Sequence, residues 1–143
     1  MRIHYSFSLP VLLISLLVSF SEGQQRSEIS YPLNGTWKPA REEMGGNEMP
    51  AAYYQSHVLV INDTTYTFTA ESVDKGLITY ADGKMDITGK EGINSGRSFK
   101  ALYELKNDTL KICYNLKGDT YPASFVTKGN PLYFLVDFVR VGK

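Results

Sequence analysis

Few side chains in this 143-residue sequence are of a type and rarity that chemistry would single out. His57 is the one histidine beyond the N-terminal apolar run, and Cys113 is the one cysteine of the chain. A histidine base of the Ser-His-Asp kind needs a nucleophile held on a strained turn, and no Gly-x-Ser-x-Gly accompanies His57. One histidine and one distant cysteine cannot assemble a His/Cys metal cluster of recognisable spacing, so no metal is expected. Carboxylates are plentiful, yet no spacing among them picks out an acid and base pair. The glycines of MGGNEM and TGKEG lack the order and the strand-to-helix context of a phosphate loop. No cofactor follows from any of these residues, and the chain reads as a protein that is not an enzyme. Cys113 fits best as a small apolar wall residue.

Aromatic side chains are the more informative feature, with ten tyrosines and seven phenylalanines. Rings that face inward can fill a core, or they can line a pocket where burial of apolar surface drives binding and hydroxyl groups set orientation. On this reading His57, Tyr66, Phe68, Tyr103 and Tyr114 are the candidate ligand-lining residues. For the four aromatic rings, simple packing of a filled interior is the first reading and pocket lining the alternative.

Strands must position these residues. From Gln55 onward apolar and polar residues alternate in short runs broken by turn residues, the period of half-buried β-strands. In SFKALYELKNDTLKICYNL, a turn at Asn107 and Asp108 sets Leu105 opposite Leu110, Tyr103 opposite Ile112 and Ala101 opposite Tyr114, all on one face with Phe99 and Leu116. Glu104 and Lys111 then meet on the other face. In SHVLVINDTTYTFTA, a turn near Asn62 and Asp63 puts His57, Leu59 and Ile61 on a face with Tyr66 and Phe68. VDKGLITYADGKMDITG reads as a pair around Asp82 and Gly83, and TYPASFVTKGNPLYFLVDFVRV as a pair joined through Lys128 to Pro131. A short helix or helical turn is expected near Pro50. About eight sequential strands with short connections predict an all-β, antiparallel up-and-down barrel, whose closure removes exposed sheet edges; a two-sheet sandwich is the alternative.

The N-terminus reads differently. Arg2, the apolar run Leu9 to Phe20 and the small-residue stretch SEGQQ have the layout of an export signal, and the apolar run falls short of the roughly 20 residues a membrane-spanning helix needs. The expected organisation is a signal peptide over 1–23, a short polar segment over 24–30 and one β-domain over 31–143, secreted or periplasmic. With Lys and Arg at 15 and Asp and Glu also at 15, and no basic run, neither nucleic acid nor an anionic membrane surface is an expected partner. No intrachain disulfide is available to a chain with one cysteine. Asn34, Asn62 and Asn107 lie in Asn-x-Thr sequons, two of them within predicted turns where asparagine serves the backbone.

The residues LNGTWKPA, with the only tryptophan of the chain, and the terminal FVRVGK carry a resemblance. Gly35, Trp37 and Arg140 match the Gly-x-Trp of the first strand and the arginine near the end of the last strand in the lipocalin and fatty-acid-binding superfamily. The resemblance implies that Gly35, Trp37 and Arg140 close the barrel, a guanidinium over an indole being worth about 0.5 to 2 kcal/mol. GTWK, ALYELKNDTLKICY, YPASFVTK and LVDFVRV together are similar to a family of small exported bacterial lipocalin-like domains that has no assigned activity. The Arg-x-Tyr clamp of intracellular fatty-acid carriers is only half matched by Arg140-Val141-Gly142, so their headgroup site does not carry over. The function implied is a non-enzymatic module for a small apolar or amphipathic ligand, the alternative being a protein-interaction or inhibitor module with a filled barrel. The last strand, apolar on both faces from Leu132 to Val139, offers an edge for a homodimer.

Overall fold

A computed structural model describes residues 28–142. The expected signal peptide and residues 24–27 of the polar segment lie outside them. The described chain runs through β1 (Gly35–Met44), β2 (Asn47–Glu48), α1 (Ala51–Tyr54), β3 (Val58–Asn62), β4 (Thr65–Thr69), β5 (Val73–Ala81), β6 (Lys84–Glu91), β7 (Ser98–Lys106), β8 (Thr109–Asn115) and β9 (Tyr133–Val141). β1 pairs with β3, each later strand pairs antiparallel with the next, and β9 returns to β1. Eight strands thus close a lipocalin-like up-and-down barrel, and β2 is a two-residue extension paired to the end of β1. Closure leaves none of the eight with a free edge, which is how a meander of this length avoids edge-to-edge association.

The local chemistry explains the register. Leu105 pairs with Leu110, Tyr103 with Ile112 and Ala101 with Tyr114, around a turn whose Asn107 has φ 53°. The β5–β6 turn holds Asp82 at φ 51°, and the β3–β4 turn holds Asp63 at φ 53°. Asparagine and aspartate tolerate this left-handed region better than other non-glycine residues, and two-residue hairpin turns require it. The β3–β4 turn falls on Asp63 and Thr64, one position later than expected, and Leu59 and Ile61 share a face with Phe68 and Tyr66 as expected, pairing in that order. Glu104 does stand opposite Lys111, but the ion pairs differ: the Lys111 ammonium lies 3.9 Å from Asp137, and Glu104 pairs with Lys106 at 3.1 Å.

Two expectations fail. The segment Tyr121 to Thr127 is no strand, because β9 already has β8 and β1 as neighbours and no sheet position is left for it. It folds instead as an irregular loop, which Asn115 anchors by donating to the Thr120 carbonyl at 2.9 Å. For the same reason β9 is not an edge, so the edge proposed for a homodimer does not exist. The apolar residues on its outer face are in part covered from within the chain: Leu135, Cys113 and Thr127 are all buried. Thr127 of the loop hydrogen-bonds Glu43 and accepts from the Gly46 amide at 2.8 Å. The helix near Pro50 is present as the four-residue α1, whose buried Tyr54 donates to the Ala40 carbonyl at 3.3 Å.

Candidate functional site

The two ends of the barrel are built differently. At one end Trp37 is fully buried, and its indole N–H donates to the Leu33 carbonyl at 2.9 Å. Trp37 and Arg140 are register partners on β1 and β9, and the guanidinium lies over the indole, 4.1 Å from its centroid. The same guanidinium donates to the carbonyls of Asn34 and, at 3.2 Å, Pro32, and pairs with Asp108 at 3.3 Å. Gly35 leaves the space for it: a Cβ there would stand 2.5 Å from the Arg140 Nη1. Leu33, Leu110 and Phe138, none more than 1% exposed, fill this end. Tyr80 and Tyr103 meet edge to face with centroids 5.5 Å apart, and the Leu33 amide donates to the Tyr80 hydroxyl at 3.4 Å. This end is shut.

Toward the other end the side chains do not meet, and a cavity of about 320 Å³ remains. Its walls are mostly apolar, with Leu59, Ile78, Met85, Ile87, Phe99, Ile112, Val136 and Phe138 among them. It is about twice the ~150 Å³ of an apolar cavity that takes up benzene. Of the five sequence candidates, Tyr66, Phe68 and Tyr114 line it. Tyr103 does not, since it packs on Tyr80 beyond the cavity floor. His57 does not line it either; its ring stands edge-on to Phe68, centroids 5.3 Å apart, and its Nδ1 donates to the Glu42 carboxylate at 3.1 Å.

The carboxylates of the cavity were not predicted. Glu42 and Asp74 line it, and each is about 95% buried. Asp74 is committed to the β6–β7 loop, accepting from the Asn94 amide at 3.0 Å and its side-chain amide at 2.9 Å. Gly92 permits this approach, because a Cβ there would lie 2.3 Å from Asp74 Oδ1. Arg97 is at the exposed rim, stacked 4.9 Å over Phe99 and bonded to Asn94. Burial raises the pKa of Glu42, against the opposing effect of His57. Burial also raises Tyr66, with the Asp74 charge adding to it. Tyr114 is raised strongly, by burial first and then by Glu42 and Tyr66.

Glu42 escaped the sequence reading because of one extra residue. Trp37 faces inward, and strict alternation would send residue 42 outward. Between Pro39 and Arg41 the β1–β9 register shifts, with Ala40 unopposed, and beyond that bulge Glu42 pairs with Val136 and Met44 with Phe134 on the inner face.

No family model matches this sequence, and no curated protein matches it. Among solved structures, an uncharacterised protein from Bacteroides eggerthii is similar at a TM-score of 0.44 and 12% identity, over 76% of this chain and 98% of that one.

Proposed function

We propose that the protein is an exported, non-catalytic carrier of the lipocalin-like kind that holds a small apolar or amphipathic molecule inside its barrel. The observation that carries this reading is the apolar-walled cavity of about 320 Å³ beside a closed and locked end. It lies in the size range of ligand pockets, roughly 300 to 1,000 Å³, toward the small limit. Burial of ligand surface there contributes about 25 cal/mol per Å² of apolar area. A pocket filled by side chains would offer none of this. Among the described residues the ring of His57 meets the Glu42 carboxylate and the Phe68 ring, contacts that hold it in the barrel wall. The export half of the reading rests on the N-terminal apolar run and the small residues that follow it.

Native mass spectrometry of protein purified from its own host without detergent tests the proposal. A reproducible added mass of one small molecule, lost on denaturation, is the expected result. A bare mass, together with no heat of binding for 1-octanol in calorimetric titration, would overturn it.

A further inference from the structure

The cavity is not a neutral hydrocarbon slot. Within its apolar wall lies the Glu42 carboxylate, 4% exposed, which uses one oxygen to accept from His57. Its other oxygen has no hydrogen-bond partner among the described residues. Tyr66, 9% exposed, and Tyr114 also line the space, and neither hydroxyl is hydrogen-bonded to another described residue. Gly76 sits against the Tyr66 ring, where any side chain would collide with it, so the ring is seated by design of the strand pair. Glu42, Tyr66 and Tyr114 share the lining of this one cavity, and Glu42 and Tyr66 both add to the upward shift of Tyr114.

Among the described residues Glu42 has His57 alone as an ionic partner, charged only when protonated, and polar groups held in an apolar wall are retained where something complements them. Among the described residues the only cation lining the cavity is Arg97, and it stands exposed at the rim, engaged with Phe99 and Asn94. The described lining therefore offers the Glu42 carboxylate, the loop-committed Asp74 carboxylate and two phenol groups to whatever enters, with Arg97 at the rim as its one cation.

We infer that the ligand is a cationic amphiphile: a protonated amine whose N–H groups meet the free oxygen of Glu42 and the hydroxyls of Tyr66 and Tyr114, with an apolar body against Ile78, Ile87 and Phe99. This rests on the carrier reading above and gives that carrier its ligand class. A carboxylate headgroup would face Glu42 and Asp74 and have Arg97 alone to hold it. A neutral alcohol would leave Glu42 with His57 as its one described ionic partner.

Calorimetric titration of the purified protein at neutral pH with n-octylamine, 1-octanol and sodium octanoate separates these cases. The expected order is amine first, tighter than the alcohol by at least about tenfold, with octanoate weakest. Glu42→Gln should remove the preference for the amine while the alcohol binds as before. An amine no tighter than the alcohol, or octanoate the tightest of the three, overturns the inference and leaves the carrier intact. Amine preference persisting in E42Q overturns it as well. Absence of binding by all three sinks the carrier reading and this one together. The wild-type comparison decides the ligand class even if E42Q does not fold.

Discussion

Tyr66 and Gly76 face each other across β4 and β5, and the ring of the first occupies the space left by the missing side chain of the second. A Cβ at residue 76 would stand 2.7 Å from the ring carbon Cε1 and 2.1 Å from the Thr88 carbonyl oxygen. One pairing thus decides both where a cavity hydroxyl sits and how closely β5 approaches β6.

Gly76→Ala should therefore destabilise the fold even though alanine is the smallest step in size. The Thr88 contact is backbone and cannot rotate away, so strand separation or strain must absorb it. Overpacking of this kind costs about 1–3 kcal/mol, and urea denaturation followed by Trp37 fluorescence would measure it. A variant as stable as the wild type would show that β5 and β6 shift freely.

Arg140→Ala removes the cation over Trp37 and two donors to loop carbonyls, for an expected loss of about 1–3 kcal/mol. Arg140→Lys should recover less than half, since an ammonium has neither the plane nor the fork. Gly35→Ala evicts the same guanidinium by occupying its place, so the double variant G35A/R140A should lose less than the two single losses added. Full additivity would mean that Gly35 acts through its backbone alone, its φ of +143° being one that alanine rarely adopts.

Glu42→Gln should stabilise the protein at neutral pH. Burial holds the Glu42 proton more tightly in the folded state than in the unfolded chain, and the hydrogen bond from His57 opposes this without outweighing it. With the folded pKa raised, the stability that the protonated form gives is fully present below the unfolded value of about 4.3 and is lost as pH rises through the folded one. The difference between E42Q and wild type in denaturation midpoint should be largest at pH 7 and close to zero at about pH 4 and below. A difference independent of pH would assign Glu42 a structural role unrelated to its charge.

Cys113 should be unreactive in the folded protein. Burial under the β8–β9 loop, with the Glu43 charge nearby, pushes its thiol up to about 11. Against the ordinary value of 9.0 this lowers the thiolate fraction at neutral pH about a hundredfold. Ellman's reagent should label it slowly in buffer and at once in denaturant. Rapid native labelling would show that the segment Leu116 to Leu132 opens.

Much of this protein is legible from pattern alone. The alternation through Phe99 to Leu105 and Leu110 to Leu116, with a turn former between them, is sufficient to state partners and faces, because strand periodicity and turn backbone are local properties. Gly35, Trp37 and Arg140 were legible only through their resemblance to the Gly-x-Trp and terminal arginine of the lipocalin and fatty-acid-binding superfamily. Two of the failures are of one kind. Tyr121 to Thr127 has strand-like residues but no vacant neighbour, and Leu132 to Val139 is apolar on both sides because a loop of the same chain covers part of its outer face.

By itself the sequence determined the strands, their order and which residues alternate toward a common side, since each of these depends on neighbours a few positions away. Tertiary structure alone decided that the barrel is hollow beneath Phe99, and that the bulge at Ala40 turns Glu42 into the same cavity as Tyr66 and Tyr114. A void is the difference between the volume that eight strands enclose and the volume their side chains fill, and no local pattern contains that difference.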